Sequence, residues 1–290
     1  MVGLPDLLIA PFHHVREAEL PEGHVIHRLA GAIEDAFAGE EVTVTSPQGR
    51  FAVEAAHLNG SRLRGAQAWG KHLLIDFAAE GAHLVHIHLG LIGRFTVGPI
   101  TPVHGQVRLR IEDAVSSADL RGPQWCRLLS DEEWEAVLST VGSDPIRPDA
   151  DPEKAWRAIH RSTRAIGVLL MDQSITAGVG NIYRAEVLFR HRIDPMTPGN
   201  RLAHATWQAI WEDLVVLMRR GVATGRIDTV RPEHTPEAMG RPPRLDRHGG
   251  EVYVYRRDGQ PCLVCGTTVR RTNLAGRHLF WCPRCQRRHR

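Results

Sequence analysis

The sequence predicts an α+β protein in which a helix leads a β-sandwich, a helical region follows, and a cysteine-bearing hairpin closes the chain. Three observations carry this expectation. Apolar residues recur every three or four positions over 21–39, and short segments of alternating hydropathy fill 41–111. Near the C-terminus, Cys262, Cys265, Cys282 and Cys285 form two C-x2-C pairs with sixteen residues between them.

In the first segment Val25, Leu29, Ile33 and Ala36 or Phe37 share one face. Pro21 and Glu22 stand at its start, where helix chemistry alone favours a proline and an acid. Strand-like segments follow at 41–45, 51–58, 61–69, 71–77, 83–89, 94–97 and 106–111, separated by turn residues, and this spacing reads as a sandwich or barrel. The Asp- and Pro-rich stretch 142–152 reads as a linker. Helices are predicted over 152–160, 166–173, 181–190 and 204–221, and the proline-rich stretch 224–250 as a poorly ordered connector.

The two cysteine pairs predict one zinc ion. Each C-x2-C turn points two thiolates at a shared tetrahedral centre, and four thiolates leave no open position, so the ion is structural. The rival reading, two disulfides, needs an oxidising compartment. Residues 1–10 include Asp6 and lack a basic segment, so no secretory leader is expected and a cytoplasmic setting is. Cys126, beside Trp125, reads as a small buried apolar residue.

Composition narrows the partners. A 42% hydrophobic content supports packed cores, and no apolar run is long enough to span a membrane. Net charge is only +3, yet from Arg256 onward there are nine arginines and one acid, Asp258, which suggests a surface that meets phosphates. Only Lys71 and Lys154 are lysines.

Several short motifs can carry chemistry. Gly178-Val179-Gly180-Asn181-Ile182-Tyr183 opens a helix whose free N–H groups suit an anion, and between two helices it reads as a helix–turn–helix grip on a nucleic-acid backbone. Lys71, in Trp69-Gly70-Lys71-His72, is either a solvated turn lysine or an ammonium set against phosphate or substrate. His86 with His88, or His24 with His27, can begin a metal site with Glu22 or His83 as third ligand, although no HExxH-like signature supports one.

Taken together the motifs resemble one family. Pro21-Glu22-Gly23-His24 at a helix start, Gly70-Lys71-His72-Leu73-Leu74, and His88-Leu89-Gly90-Leu91-Ile92-Gly93-Arg94-Phe95 occur in its order. So do Asp172-Gln173-Ser174-Ile175-Thr176-Ala177-Gly178-Val179-Gly180-Asn181-Ile182-Tyr183 and the cysteine hairpin. The chain resembles the Fpg/Nei DNA glycosylases, and most closely the endonuclease VIII branch of actinobacterial type. The resemblance implies a catalytic β-sandwich over 21–141, a linker over 142–152 and a helix–two-turn–helix domain over 153–225. A connector over 226–250 and a zinc-finger hairpin over 251–290 complete it.

The implied activity is base-excision repair: excision of oxidised bases, with Gly23 and His24 favouring pyrimidines over the guanine-lesion alternative, followed by β/δ-elimination of the strand. Its implied catalytic group is Pro21, Glu22, Lys71 and Arg277, and its DNA contacts are Lys71, Arg94, Asn181 and Arg277. Gap-filling residues are expected near Leu91. The implied partner is double-stranded or bubble DNA carrying oxidised bases or abasic sites, bound by a monomer in the bacterial cytoplasm and nucleoid, with no membrane contact.

The family nucleophile is an N-terminal proline, and a proline inside a chain is a tertiary amide that cannot form an iminium. Residues 1–20 are therefore expected to be a mis-annotated or removed extension, with Leu20 at the position of the true initiator. If they are retained, the expected function is a non-catalytic binder of damaged or abasic DNA. A zinc-ribbon RNA-binding protein is a third reading.

Overall fold

The structure, a computed structural model, describes residues 21–245 and 250–287. The expected extension 1–20 lies outside them. Helix α1 (Gly23–Phe37) runs from Glu22 and buries Ile26, Leu29, Ile33 and Phe37. It is followed by β1 (Thr43–Thr45), α2 (Ala52–Leu58), β2 (Leu63–Trp69), β3 (His72–Phe77), β4 (Leu84–His88), β5 (Arg94–Pro99), β6 (Val107–Glu112), β7 (Ser116–Arg121), β8 (Trp125–Leu129) and α3 (Asp131–Ser139). The strands form two antiparallel four-stranded sheets, ordered β1-β6-β7-β5 and β2-β3-β4-β8. In β3 the period-two pattern sends Leu73, Ile75 and Phe77 into the core, where they meet the apolar face of α1. Each such side chain contributes about 1.5–3 kcal/mol of burial.

One strand expectation is corrected. Within 51–58, residues Ala52–Leu58 form a helix with Phe51 at its N-cap, because Ala, Glu and Leu are good helix formers and Phe51, Ala55 and Leu58 bury together only at helical spacing. Strands β7 and β8 and helix α3 add to the elements expected from the sequence.

The helical region comprises α4 (Pro152–His160), α5 (Ile166–Leu169), α6 (Asn181–Arg190), α7 (His204–Thr224) and α8 (Pro236–Met239), and β9 (Arg270–Leu274) pairs with β10 (Arg277–Trp281) as the final hairpin. The helix expected over 166–173 stops after one turn. Beyond it the Gln173 side chain holds the loop, donating to the Met171 and Val179 carbonyls and accepting from the Gly178 N–H. One apolar cluster runs from Ala155 through α6 and α7 to Tyr253, Tyr255 and Phe280, so helices and hairpin share a core.

The stretch read as a poorly ordered connector is packed where it is described. Ile227 and Val230 enter the core, and the Thr229 N–H donates to the Glu251 carbonyl at 2.8 Å; residues 246–249 lie outside the described set. Proline there prevents regular structure without preventing burial.

The stretch 142–152 joins the two halves through hydrogen bonds. Gly142 and Ala177 donate to the Gln173 and Ser143 carbonyls. The buried Asp144 carboxylate accepts from the Gly70 N–H at 2.7 Å and the Ile146 N–H at 2.9 Å, and meets His27 Nε2 at 2.7 Å.

Candidate active site

The site is built where α1, the β2–β3 turn and the start of α6 converge. Three glycines allow this approach. Gly23 donates its N–H to the Gly178 carbonyl at 2.8 Å, and a Cβ on Gly178 would lie 3.2 Å from the Cα atoms of both Gly23 and Gly70. With φ of 84°, Gly178 also holds a conformation that other residues reach only at a cost.

The helix N-terminus of α6 is occupied by a carboxyl group from within the chain. Glu22 is buried, and its carboxylate accepts from the N–H groups of Ile182 at 2.8 Å, Gly180 at 3.2 Å and Tyr183 at 3.4 Å. Burial pushes its pKa above the ordinary range, and the Lys71 charge and those N–H groups oppose that shift without cancelling it. Lys71 follows Gly70 in the turn that Asp144 anchors. Burial lowers its ammonium pKa; Glu22 opposes this and the Arg277 charge adds to it. Pro21, partly buried, immediately precedes Glu22.

Arg277 arrives from the far end of the chain. The hairpin turns through Ala275 and Gly276, both at positive φ, in a two-residue turn between paired Leu274 and Arg277. Arg184, buried on α6, secures this hairpin. It donates to the Gly167 carbonyl at 3.1 Å, to the His278 carbonyl at 3.0 Å and to Asn181 Oδ1. Because Arg184 takes the amide oxygen of Asn181, the amide NH2 remains as the donor of that side chain. Burial lowers the Arg184 pKa to about 10, with Glu22 opposing and Arg277 adding, so it remains a cation at neutral pH.

Of the residues singled out from sequence, Pro21, Glu22, Lys71, Asn181 and Arg277 thus meet in one place. Arg94 stands apart, exposed at the start of β5 and opposite Arg121. Leu91 and Ile92, in the loop before it, are exposed apolar residues. The histidine pairs do not assemble a metal site. His24 is buried edge-on to the Tyr183 ring, and His27 turns to Asp144. His86 contacts His72 at 2.9 Å, His83 contacts Asp76 at 2.8 Å, and His88 Nδ1 accepts from the Gly90 N–H. Cys126 packs against the sandwich core, and burial pushes its thiol up to about 12.

Among the described residues, the only group of three or more His, Cys, Asp or Glu converging on a point is Cys262, Cys265, Cys282 and Cys285, with sulfurs within 4.8 Å of one another. Two of the Sγ···Sγ distances, 3.9 Å for Cys262–Cys285 and 3.5 Å for Cys265–Cys282, lie on either side of the roughly 3.8 Å that a tetrahedral ion with Zn–S bonds of about 2.3 Å requires. The residues therefore fit one structural zinc. Gln286 ties the second knuckle to the helices, accepting from the Cys282 N–H and donating to the Ile193 carbonyl.

Sequence alone did not single out Arg184, Asp144 or Glu186. Glu186 is fully buried on α6 and accepts from the N–H groups of Tyr253, Val254 and Tyr255 and from the Thr229 hydroxyl. The only signal for it was a charge on the apolar face of a predicted helix.

Comparison with known proteins agrees with this architecture part by part. Residues 19–125 match the formamidopyrimidine-DNA glycosylase N-terminal domain, 141–232 its H2TH domain, and 259–288 the zinc finger found in FPG and IleRS. The chain is 49% identical over 273 residues to endonuclease 8 1 of Mycobacterium tuberculosis, covering 92% of this chain and 100% of that protein. It is 32% identical over 286 residues to the formamidopyrimidine-DNA glycosylase of a Synechococcus species, covering 92% and 98%. Among solved structures, Lactococcus lactis Fpg bound to DNA containing an abasic site shares the fold at a TM-score of 0.74 and 20% identity, over 92% of this chain and all of that one. The three domain matches, their order and the mycobacterial identity place the chain in the Fpg/Nei family of DNA glycosylases.

Proposed function

We propose that this chain excises oxidised pyrimidines from DNA through a Pro21 Schiff base and then cleaves the strand. The observation that supports the reading best is the convergence of Glu22, Lys71, Asn181 and Arg277, from separate parts of the chain, beside Pro21. The endonuclease 8 name of the mycobacterial relative favours the pyrimidine class.

In the proposed reaction the flipped nucleotide enters with its C1′ against Pro21. A free secondary amine attacks C1′, the glycosidic bond breaks, and the departing base takes a proton. Glu22, protonated more readily than an ordinary carboxylate, gives a proton to the ring oxygen as the sugar opens. The nitrogen lone pair then forms the iminium, which acidifies C2′; loss of that proton expels the 3′ phosphate. Lys71, Asn181 and Arg277 hold the backbone phosphates during these steps, while the exposed Leu91 and Ile92 fill the space the base has left. The zinc supplies no step; it folds the hairpin that carries Arg277.

The chemistry requires a free Pro21 nitrogen, so removal of residues 1–20 is part of the proposal. Its test is borohydride reduction on abasic-site DNA with a protein beginning at Pro21, alongside intact mass of the native protein. A covalent adduct is expected, and Pro21→Gly should reduce its yield. Retained residues 1–20 together with no adduct would instead make the chain a non-catalytic binder of damaged DNA.

A further inference from the structure

Arg256 occupies the third position of a turn closed by the Arg257 N–H on the Val254 carbonyl at 3.1 Å, and its φ of 51° is left-handed. Glycine or asparagine takes that position with little strain; arginine does not. Only Arg192, Arg256 and Ala275 are non-glycine residues at positive φ among those described. Ala275 lies at the hairpin tip and Arg192 follows the last turn of α6. The turn at Arg256 is imposed from behind, because Glu186 holds the three preceding N–H groups.

The side chain gains little from the protein in return. Arg256 is exposed and has no hydrogen bond or ion pair among the described residues; its guanidinium lies 5.5 Å from the centre of the Tyr255 ring. That ring is buried edge-on against Phe280 of β10. Tyr255 also lies close enough to Arg184 to act on its charge, and Arg184 is the residue that joins Asn181 to the hairpin. A cation without a hydrogen bond or ion pair among the described residues therefore sits in a strained turn ahead of the hairpin, against a ring whose own residue acts on Arg184. Strain of this kind persists where an exposed group has work outside the protein.

We propose that Arg256 is a further DNA-backbone contact, binding a phosphate next to the one held by Asn181 and Arg277. The inference rests on the DNA-cleft reading given above. Its test uses the zinc-loaded protein and a duplex carrying an abasic-site analogue, with Kd measured from 50 to 200 mM salt. Removing one phosphate contact should reduce the slope of log K against log salt by about 0.9. Arg256→Gly should show that reduction and bind roughly tenfold more weakly. Its melting temperature should be unchanged or higher, because the turn is relieved. Arg256→Lys should keep the slope.

Arg277→Ala is the control for the cleft itself. If Arg277→Ala lowers the slope and Arg256→Gly does not, the proposal is overturned and the cleft reading stands. If neither variant moves the slope, the cleft reading fails first. A lower melting temperature for Arg256→Gly with unchanged salt dependence would make Arg256 a structural residue and overturn the proposal.

Discussion

At the scale of single residues, the site joins a carboxylate whose pKa is pushed up by burial to an ammonium whose pKa is pushed down by it. Each partly restores the other: the Lys71 charge lowers the Glu22 pKa, and Glu22 raises that of Lys71. Removing the lysine leaves the Glu22 carboxylate buried without its cation. In Lys71→Ala, the limb of the pH–rate profile governed by Glu22 should therefore move to higher pH, whichever of its protonation states the limiting step uses. Single-turnover cleavage of abasic-site DNA measures it; a limb that stays put would show that Lys71 acts on DNA alone. If Lys71 holds a phosphate as proposed, losing that charged contact, at about 1.5–3 kcal/mol, should also weaken binding at least tenfold. The proposed site residues were legible through the family resemblance, because several short motifs stand in its order; each motif alone also had an ordinary structural reading. Their supports were not. Arg184 matters through a carbonyl 94 positions away, and Asp144 through the Gly70 N–H, 74 positions away. No local pattern records such contacts.

At the scale of elements, α6 organises the C-terminal half, and its bounds at 181 and 190 were readable from periodicity. What periodicity could not show is that Glu186, in the middle of this helix, takes three backbone N–H groups from the segment leading to the zinc hairpin. Glutamine in its place offers one acceptor oxygen where two now serve, so at least one buried donor faces an amide NH2. Each stranded donor costs about 1–3 kcal/mol. Glu186→Gln should melt several degrees lower and bind DNA more weakly while keeping its zinc, as metal analysis would confirm. The other end of α6 is clasped to α7, where Arg190 and His191 both reach Asp213. Burial would raise the Asp213 pKa, but the hydrogen bonds from His191 and Arg190 and the Arg190 charge outweigh it and hold the group at about 2. An acid whose folded pKa lies below its unfolded value of about 3.9 stabilises the fold above that pH and loses this contribution as pH falls toward 2. Asp213→Asn should therefore be less stable than the parent at pH 6, with the gap closing by pH 2 in denaturant titrations. The helix α2 escapes sequence reading for a reason of the same scale: seven residues are too few for periodicity to separate a short helix from a strand, and only its partners in the sandwich decide.

At the scale of the whole molecule, the two halves have separate cores and meet across α1, the Asp144 stretch and the start of α6. The sandwich brings Pro21, Glu22 and Lys71, while the helices and hairpin bring Asn181 and Arg277. The cleft between them is assembled, then, and a defect in either half is expected to remove the site without unfolding the other. Zinc removal tests this directly. The hairpin buries Val269, Leu279 and Phe280, too little to hold its own shape, and the four thiolates complete what burial leaves unfinished. A chelator, or Cys282→Ser, should release Arg277 and loosen the grip of Arg184 on the His278 carbonyl. Each charged interaction with DNA that goes with them is worth about 1.5–3 kcal/mol, so the absence of two or more should lower affinity for abasic-site DNA a hundredfold or more. The sandwich should stay folded, with the amide protection of β3 and β4 unchanged. Tight DNA binding by zinc-free protein would mean that the sandwich alone holds the substrate, and the hairpin would lose the role given to it here.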